Sequence, residues 1–220
     1  MNKRMIAIDG PAGAGKSTVA KALAKKLGYL YIDTGAMYRA VAYAAIQRGI
    51  PFDDAAALTE LAATVQIDMR VKGGNYYVYL DGEDVSQAIR TPEVGAAASP
   101  VSAISGVRRH LVAQQQRLAQ NGNVVMDGRD IGTMVLPQAD CKIFLTASLE
   151  ERAKRRYLEL QEKGIATSLS QVKTEIAERD ERDSHRADSP LMQAADAVLL
   201  DSTQLSLAEV LAKLEALVKE

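Results

Sequence analysis

The chain has 220 residues, with 27 lysines and arginines against 28 aspartates and glutamates, so its formal net charge is −1. Hydrophobic residues make up 47% and charged residues 25%, which is typical of a globular protein and argues against wholesale disorder. The near-zero charge gives no reason to expect a nucleic-acid partner. The single cysteine excludes an internal disulfide, which fits a reducing compartment. No apolar run could span a bilayer or serve as a secretory signal. We therefore expect a cytoplasmic, monomeric protein without a membrane partner.

The N-terminal third begins with a strand, a helix and a second strand. Met5–Ile8 and Tyr29–Ile32 are short apolar runs that predict buried strands. Between them, apolar residues recur at helical spacing from Lys16 to Leu27, and Gly28 supplies a stop. This order predicts a βαβ unit, and its fully apolar strands favour a parallel sheet covered on both faces.

The C-terminal half continues the alternation of strands and helices. Three more strands are predicted at Val124–Met126, Lys142–Leu145 and Ala197–Leu200. Helical periodicity covers Val107–Ala119, Glu150–Gln161, Leu169–Asp183 and Leu207–Val218. The pattern predicts a single α/β domain over residues 1–220, with a doubly wound, five-stranded parallel sheet.

A hairpin signature interrupts this alternation. Residues Val65–Val71 alternate with period two, Gly73, Gly74 and Asn75 form a turn, and Tyr76–Leu80 form a second strand. Antiparallel strands inside a parallel α/β chain predict an inserted lobe over residues 65–91. An edge hairpin with only a packing role is an equally compatible interpretation.

A phosphate-binding motif lies between the first strand and the first helix. Residues 10–17 read G-P-A-G-A-G-K-S and match G-x-x-x-x-G-K-[ST]. Glycines let backbone N–H groups surround a phosphate, Lys16 neutralises it, and Ser17 offers a hydroxyl to Mg²⁺. Asp127, at the end of the third strand, is a second candidate on the magnesium side. The alternatives are a helix-capping turn and an ordinary strand-end acid. No N-K-x-D sequence occurs, which argues against a GTPase switch.

Arginines are concentrated in the second half of the chain, where ten of the fifteen lie between Arg108 and Arg186. An arginine fork pairs two phosphate oxygens at once, so this clustering favours a phosphorylated second substrate. Arg179, Asp183 and Arg186 are spaced by four and three residues, so they can project from one helix face.

A second arginine group lies one helix earlier, at Arg152, Arg155 and Arg156. Its members also share a helix face, but Glu151 and Arg155 could equally form an ordinary surface ion pair. The sequence leaves both interpretations open for this group.

Two further motifs follow strands at their carboxyl ends, where open α/β sheets bind ligands. Residues 33–39 read D-T-G-A-M-Y-R after the second strand, and Gly128, Arg129 and Asp130 follow the third. We expect both to face one crevice beside the phosphate loop.

In combination, these motifs resemble those of the bacterial cytidylate kinases. The segments GPAGAGKST, DTGAMYR, DGRDIGT and ERDERDSHR occur in this order before a final βα unit, and the resemblance covers essentially the whole chain. It implies transfer of the γ-phosphoryl group of ATP to CMP or dCMP with Mg²⁺. It also implies a nucleotide-binding role for the lobe at residues 65–91 and a mobile lid at residues 150–166.

The resemblance also assigns roles to individual residues. It implies an ATP site formed by Gly10, Pro11, Ala12, Gly13, Ala14, Gly15, Lys16, Ser17 and Thr18. It implies that Arg39, Arg129 and Arg186 hold the acceptor phosphate, that Ser99, Arg108 and Asp130 read cytosine, and that Arg179 and Asp183 contact the ribose. Arg152 and Arg156 would belong to the lid and, with Lys16, Arg129 and Arg186, would stabilise charge on the transferred group. Thr34 would hydrogen-bond near the acceptor nucleotide.

Physical reasoning supports the base assignment, because cytosine presents an amino donor at C4 where uracil presents an acceptor. A carboxylate at Asp130 would accept from the first and repel the second. Ser99 precedes Pro100, which predicts an extended backbone there. Cys141, His110 and His185 lack a catalytic constellation, and phosphoryl transfer needs no protein nucleophile. The remaining alternatives are a kinase for another small acceptor, such as shikimate, and an ATP-binding regulator that docks partners on the hairpin lobe.

Overall fold

A computed structural model describes residues 4–120 and 122–219 of the chain. Its strands are β1 (Met5–Asp9), β2 (Leu30–Asp33), β3 (Ile67–Lys72), β4 (Asn75–Leu80), β5 (Glu83–Asp84), β6 (Val124–Gly128), β7 (Cys141–Thr146) and β8 (Val198–Asp201). Its helices are α1 (Lys16–Leu27), α2 (Thr34–Gln47), α3 (Ala55–Thr64), α4 (Pro92–Ala103), α5 (Ser105–Ala119), α6 (Leu149–Glu162), α7 (Leu169–His185) and α8 (Leu207–Lys219). A short 3₁₀ turn covers Ala88–Arg90 and a π-helical turn covers Ile131–Val135.

In this described part of the chain, five parallel strands form the main sheet in the order β2-β6-β1-β7-β8. The predicted parallel sheet is therefore confirmed. The register sets Asp9 opposite Gly128 and Asp33 opposite Asp127, so the carboxyl ends of β1, β2 and β6 lie side by side. Because β1 is the central strand, the loop that follows it leaves the middle of the sheet at its carboxyl edge. Open α/β sheets bind ligands at this edge.

Helices cover both faces of this sheet because its central strands are apolar on both sides. One core cluster joins the sheet to α2, α3, α4 and α5 through residues such as Met37, Leu58 and Leu111. A second cluster joins the other face to α1 and α8, with Leu23 and Leu214 fully buried. Among the described residues, no helix combines the length and apolar character needed to cross a membrane.

The predicted hairpin forms a separate antiparallel sheet. Strands β3, β4 and β5 pair with one another in that order, and the register sets Ile67 opposite Leu80. The lobe meets the main domain partly through Tyr76, whose ring packs edge-on against Tyr31 at 5.1 Å between centroids. These strands form their own sheet and do not pair with an edge strand of the main sheet. The role of the lobe in nucleotide binding stays a prediction.

One backbone prediction is wrong. Ser99 is helical, not extended, because α4 continues through Pro100 to Ala103. A proline inside a helix costs about 3 kcal/mol. The buried face formed by Val94, Ala98 and Val101 packs into the core and offsets this cost.

Candidate active site

The phosphate loop connects β1 to α1 with a backbone that requires glycine. A Cβ atom added to Gly10 would lie 1.9 Å from the backbone oxygen of Leu145, and this residue has φ 147°. Gly15 precedes α1 with φ 85°, in the left-handed region that other residues avoid. Ser17 and Thr18 lie exposed on the first turn of α1. The loop therefore presents a helix N-terminus to solvent, as anion binding requires.

Lys16 is the first residue of α1, and its side chain reaches back to the loop. Its side chain is buried, and Nζ donates a hydrogen bond to the backbone oxygen of Pro11 at 2.7 Å. Burial, reinforced by the positive charge of Arg129, holds the pKa of Lys16 well below its ordinary value, and Asp127 opposes this effect. A poorly compensated ammonium group at this position can neutralise a phosphate.

Asp127 connects the loop to the end of β6. Its carboxylate accepts hydrogen bonds from Ser17 Oγ at 2.8 Å and from the phenol of Tyr31 at 2.9 Å. Burial and the nearby carboxylate of Asp33 raise the pKa of Asp127 to about 6. A hydroxyl and a carboxylate side by side are hard oxygen ligands of the kind that Mg²⁺ takes. The residues present therefore fit Mg²⁺.

The motif after β2 begins α2. Asp33 caps the helix by accepting from the N–H of Ala36 at 2.8 Å, and its other carboxylate oxygen accepts from Arg39 at 3.0 Å. The Thr34 hydroxyl donates to the backbone oxygen of Asp127 at 2.8 Å. Among the described residues, the buried Nε of Arg39 has no hydrogen-bond partner. Thr34 and Arg39 thus lie at the same sheet edge as Asp127.

Arg108 and Asp130 form a buried ion pair beside this edge, through Arg108 Nη2 and Asp130 Oδ2. The Arg108 guanidinium also lies 5.4 Å from the ring centre of Tyr38. Arg186 approaches the same carboxylate at 3.8 Å. Within the described residues, Arg108 Nε and Arg186 Nη2 are buried donors without a hydrogen-bond partner. A ligand with acceptor atoms would satisfy both.

Asp183 gathers three arginines on the neighbouring side. Arg129 Nε donates to its carboxylate at 2.9 Å, while Arg186 lies at 3.5 Å and Arg179 at 4.0 Å. Burial opposes ionisation of Asp183, but these three charges hold its pKa below the ordinary value. Three guanidinium groups around one carboxylate leave an excess of positive charge, which suits a phosphate.

The structure separates the three arginines of α6. Arg152 is buried and donates to the backbone oxygens of Ala147 at 2.9 Å and Ala12 at 2.8 Å, and it pairs with Asp180. Arg155 donates to Ser202, and its Nε pairs with Glu151 at 3.0 Å, so the expected surface ion pair forms. Arg156 is exposed and pairs with Glu159 at 2.8 Å. The predicted lid role of Arg152 and Arg156 remains a prediction, and for Arg152 it would require the pair with Asp180 to open.

Ser99 lies on α4 and contacts an arginine of α7. Its hydroxyl accepts from Arg182 at 3.5 Å, and its backbone oxygen accepts from Ser102 Oγ at 2.8 Å. The backbone oxygen of Ser102 accepts in turn from Arg108 at 3.2 Å. Ser99 is thus one helical turn away from the residue that contacts the Arg108–Asp130 pair.

Sequence reasoning missed two acidic residues that organise the site. Asp180 accepts from the N–H of Ala12 at 2.9 Å, so it ties α7 to the phosphate loop. Asp9, the last residue of β1, accepts from the N–H groups of Ile131 and Gly132. Both lie next to recognised motifs, Asp180 after Arg179 and Asp9 before Gly10, and this adjacency was the available signal.

Comparison with known proteins agrees with this geometry. The sequence model of the family described as cytidylate kinase matches residues 6–220. A cytidylate kinase from Ligilactobacillus salivarius is 53% identical over 220 residues, covering 100% of this chain and 98% of the relative. One from Bacillus cereus is 53% identical over 219 residues, covering 99% of this chain and 97% of the relative.

Solved structures share the fold at low sequence identity. A shikimate kinase from Bacteroides thetaiotaomicron superposes with a TM-score of 0.52 at 13% identity, with 100% of both chains covered. An uncharacterized protein from Eubacterium ventriosum superposes with a TM-score of 0.53 at 10% identity, again with 100% of both chains covered. At such identities the likeness shows the fold alone, so it gives no support to shikimate as the acceptor here.

Proposed function

The chain belongs to the cytidylate kinase family, and from this premise we propose that it transfers the γ-phosphoryl group of ATP to CMP or dCMP, giving ADP and CDP or dCDP. The observation that carries the proposal is the meeting of two anion sites at one sheet edge. The phosphate loop with Lys16 lies on one side, and the arginines around Asp183 lie on the other. The two sites are close enough to interact, since the positive charge of Arg129 lowers the pKa of Lys16 beyond the larger effect of burial.

On the donor side, residues Gly10 to Thr18 bind ATP. The exposed N-terminus of α1 and its glycine backbone suit the phosphates, and Lys16 neutralises their charge as it develops in the transition state. Ser17 and Asp127 would hold Mg²⁺, which would supply positive charge to neutralise the phosphates.

On the acceptor side, Arg39, Arg129 and Arg186 hold the phosphate of CMP, and Arg179 with Asp183 contacts the ribose. The buried donors of Arg39 and Arg186 that lack partners among the described residues support this assignment. A phosphate dianion would balance the positive excess around Asp183. It would also satisfy donors whose isolation otherwise costs about 1–3 kcal/mol each.

The base is read by Asp130, Arg108 and Ser99. The Asp130 carboxylate, which pairs with Arg108, accepts from the C4 amino group of cytosine and repels the C4 oxygen of uracil. Rejection by a repelled polar group can reach large ratios, which an apolar pocket cannot match.

The chemical step is an in-line attack of a CMP phosphate oxygen on the γ phosphorus. Lys16, Arg129 and Arg186 stabilise the charge of the transferred group, with Arg152 and Arg156 contributing from the lid at residues 150–166. The oxygen bridging the β and γ phosphorus atoms leaves with ADP. Lid closure, together with movement of the lobe at residues 65–91, excludes water and so prevents hydrolysis of ATP. We further propose that the protein acts as a monomer in the cytoplasm and has no nucleic-acid partner.

The test is a coupled assay of ADP release with CMP, dCMP, UMP, AMP, GMP and shikimate as acceptors. We expect turnover with CMP and dCMP, weak turnover with UMP, and none above background with the others. Lys16→Ala should reduce kcat by about 100-fold or more, as loss of one transition-state charge contact does. Preferred turnover of shikimate would overturn the acceptor assignment, and absence of ADP with all six would favour a regulator that binds ATP without transferring phosphate.

A further inference from the structure

The buried side chain of Asp9 hydrogen-bonds to the π-helical turn after β6, which is distant in sequence. It is the last residue of β1 and is 5% exposed. Its Oδ1 accepts a hydrogen bond from the N–H of Ile131 at 2.8 Å, and its Oδ2 accepts one from the N–H of Gly132 at 2.7 Å. The carboxylate therefore holds two consecutive backbone groups of the π-helical turn.

These two groups follow Asp130 directly in sequence. The backbone oxygen of Asp130 accepts from the N–H of Met134 at 2.9 Å, so Asp130 is fixed to the same turn from its other side. Its side chain extends from this fixed backbone to Arg108. The position of the Asp130 carboxylate thus depends on where Asp9 holds the start of the turn.

We propose that Asp9 is a positioning residue that sets the location of Asp130 and thereby the selectivity for cytosine over uracil. This inference rests on the proposed function, in which Asp130 reads the base. Asp9 also precedes Gly10, so its backbone enters the phosphate loop while its side chain holds the base-reading segment. Asp9 therefore connects the ATP-binding loop to the segment that carries Asp130.

The chemistry of the contact explains why an aspartate occupies this position. Two parallel N–H donors require two acceptor oxygens, and a carboxylate is the small side chain that provides both. In asparagine, the side-chain NH₂ group replaces one of these oxygens and would face one of the two backbone N–H donors. Burial raises the pKa of Asp9 to about 6, so keeping the carboxylate ionised here costs stability that an apolar strand end would not.

Gly132 completes the arrangement from the opposite side. A Cβ atom added there would lie 3.3 Å from Asp9 Oδ2 and 3.2 Å from Lys142 Cδ. These approaches are tight, so Gly132→Ala should push the turn away from Asp9 without changing any charge. It provides a second, independent perturbation of the same contact.

The experiment compares kcat/KM for CMP and for UMP in Asp9→Asn, Gly132→Ala and Asp130→Asn. We expect the first two variants to lower the CMP-to-UMP ratio about tenfold, because misplacement of a recognition group by a fraction of an ångström has effects of this order. The KM for CMP should rise, while the KM for ATP should change less than about twofold. Asp54→Asn is the matched control, since Asp54 also accepts a backbone N–H, at 2.9 Å from Ala57, but at the start of α3. Its ratio should equal that of the parent protein.

The outcomes separate the inference from the proposed function. If Asp130→Asn leaves the ratio unchanged, base reading by Asp130 fails and the inference falls with it. If Asp130→Asn lowers the ratio but Asp9→Asn and Gly132→Ala do not, the inference is overturned and the proposed function stands. An equal loss for CMP and UMP, or a rise in the KM for ATP alone, would also overturn it. If thermal melting shows that Asp9→Asn does not fold, the CMP-to-UMP ratio of Gly132→Ala alone tests the inference.

Discussion

The side chains of Arg108 and Asp130 pair in the interior of the protein, where they are only 3% and 7% exposed. The Coulombic attraction within such a pair is offset by the free energy needed to remove both charges from water, so the pair adds little net stability. The pair also fixes the Asp130 carboxylate next to a second guanidinium group, since Arg186 lies 3.8 Å from its other oxygen.

Asp130→Ala should therefore destabilise the fold by about 3–5 kcal/mol, because it leaves the Arg108 charge buried without its partner. The double variant Arg108→Met, Asp130→Leu should recover most of that loss, since it removes both charges. Urea unfolding followed by circular dichroism measures both effects. As a control, Glu159→Gln in the exposed pair with Arg156 should cost less than about 1 kcal/mol. A cost for Asp130→Ala as small as that of the control would contradict the account.

Two glycines of the phosphate loop should respond differently to alanine. At Gly10 the added Cβ would overlap the backbone oxygen of Leu145, which cannot move without breaking the sheet, so Gly10→Ala should fail to fold or lose ATP binding entirely. At Gly15 the added Cβ meets no described atom within 4 Å beyond its immediate chain neighbours, and only the positive φ opposes it. Gly15→Ala should cost about 1–2 kcal/mol. Thermal melting and ATP titration of both variants check this, and equal effects would contradict it.

Much of the fold follows from local patterns in the sequence. Apolar periodicity predicts α1, β1 and β6 because these elements bury strongly apolar residues, and the glycine spacing predicts the phosphate loop. The same reasoning does not find α2, α3 and α4. These helices are rich in alanine, which occurs at both buried and exposed positions, so no apolar stripe contrasts with a polar one.

The site was predictable only where its residues follow strands or share a helix face. Asp33 and Asp127 end adjacent parallel strands, and their proximity follows from that rule. The contact of Asp180 with Ala12 spans 168 positions and depends on how α7 packs against the loop. Likewise, sequence spacing places Arg152, Arg155 and Arg156 on one helix but does not tell which of them faces the loop.

The three arginines of α6 should therefore have separable effects when each is replaced by methionine. Arg152→Met removes the donor to the Ala12 backbone oxygen and the partner of Asp180, so the KM for ATP should rise several-fold and stability should fall by about 1–3 kcal/mol. Arg155→Met should lower stability by about 1 kcal/mol without affecting catalysis, because its contacts are with Glu151 and Ser202.

Arg156→Met should change stability by less than about 1 kcal/mol and should reduce kcat if the lid role is correct. Steady-state kinetics with varied ATP, together with urea unfolding, distinguish the three. Arg152→Met should also lower kcat, because the proposed lid role gives Arg152 a charge contact with the transferred group. An unchanged kcat would remove Arg152 from that role and leave it only its contacts with the loop.

The buried carboxyl group of Asp9 should leave a signature in the pH dependence of stability. Burial raises its pKa from the ordinary 3.8 to about 6, although the N–H groups of Gly132 and Ile131 oppose the rise. Between these two values the folded protein binds a proton that the unfolded chain releases. The stabilisation is therefore complete below about pH 4 and is lost as the pH rises through about 6.

In Asp9→Asn this titration is absent, while the lost hydrogen bond adds an offset that does not vary with pH. The stability of the parent protein minus that of the variant should therefore fall by about 3 kcal/mol between about pH 4 and pH 7. Urea unfolding of both proteins across this range measures the difference, in which other titrating groups cancel. For Asp54→Asn the corresponding difference should stay flat. A difference for Asp9→Asn that grows as the pH rises would mean that the surrounding N–H groups outweigh burial.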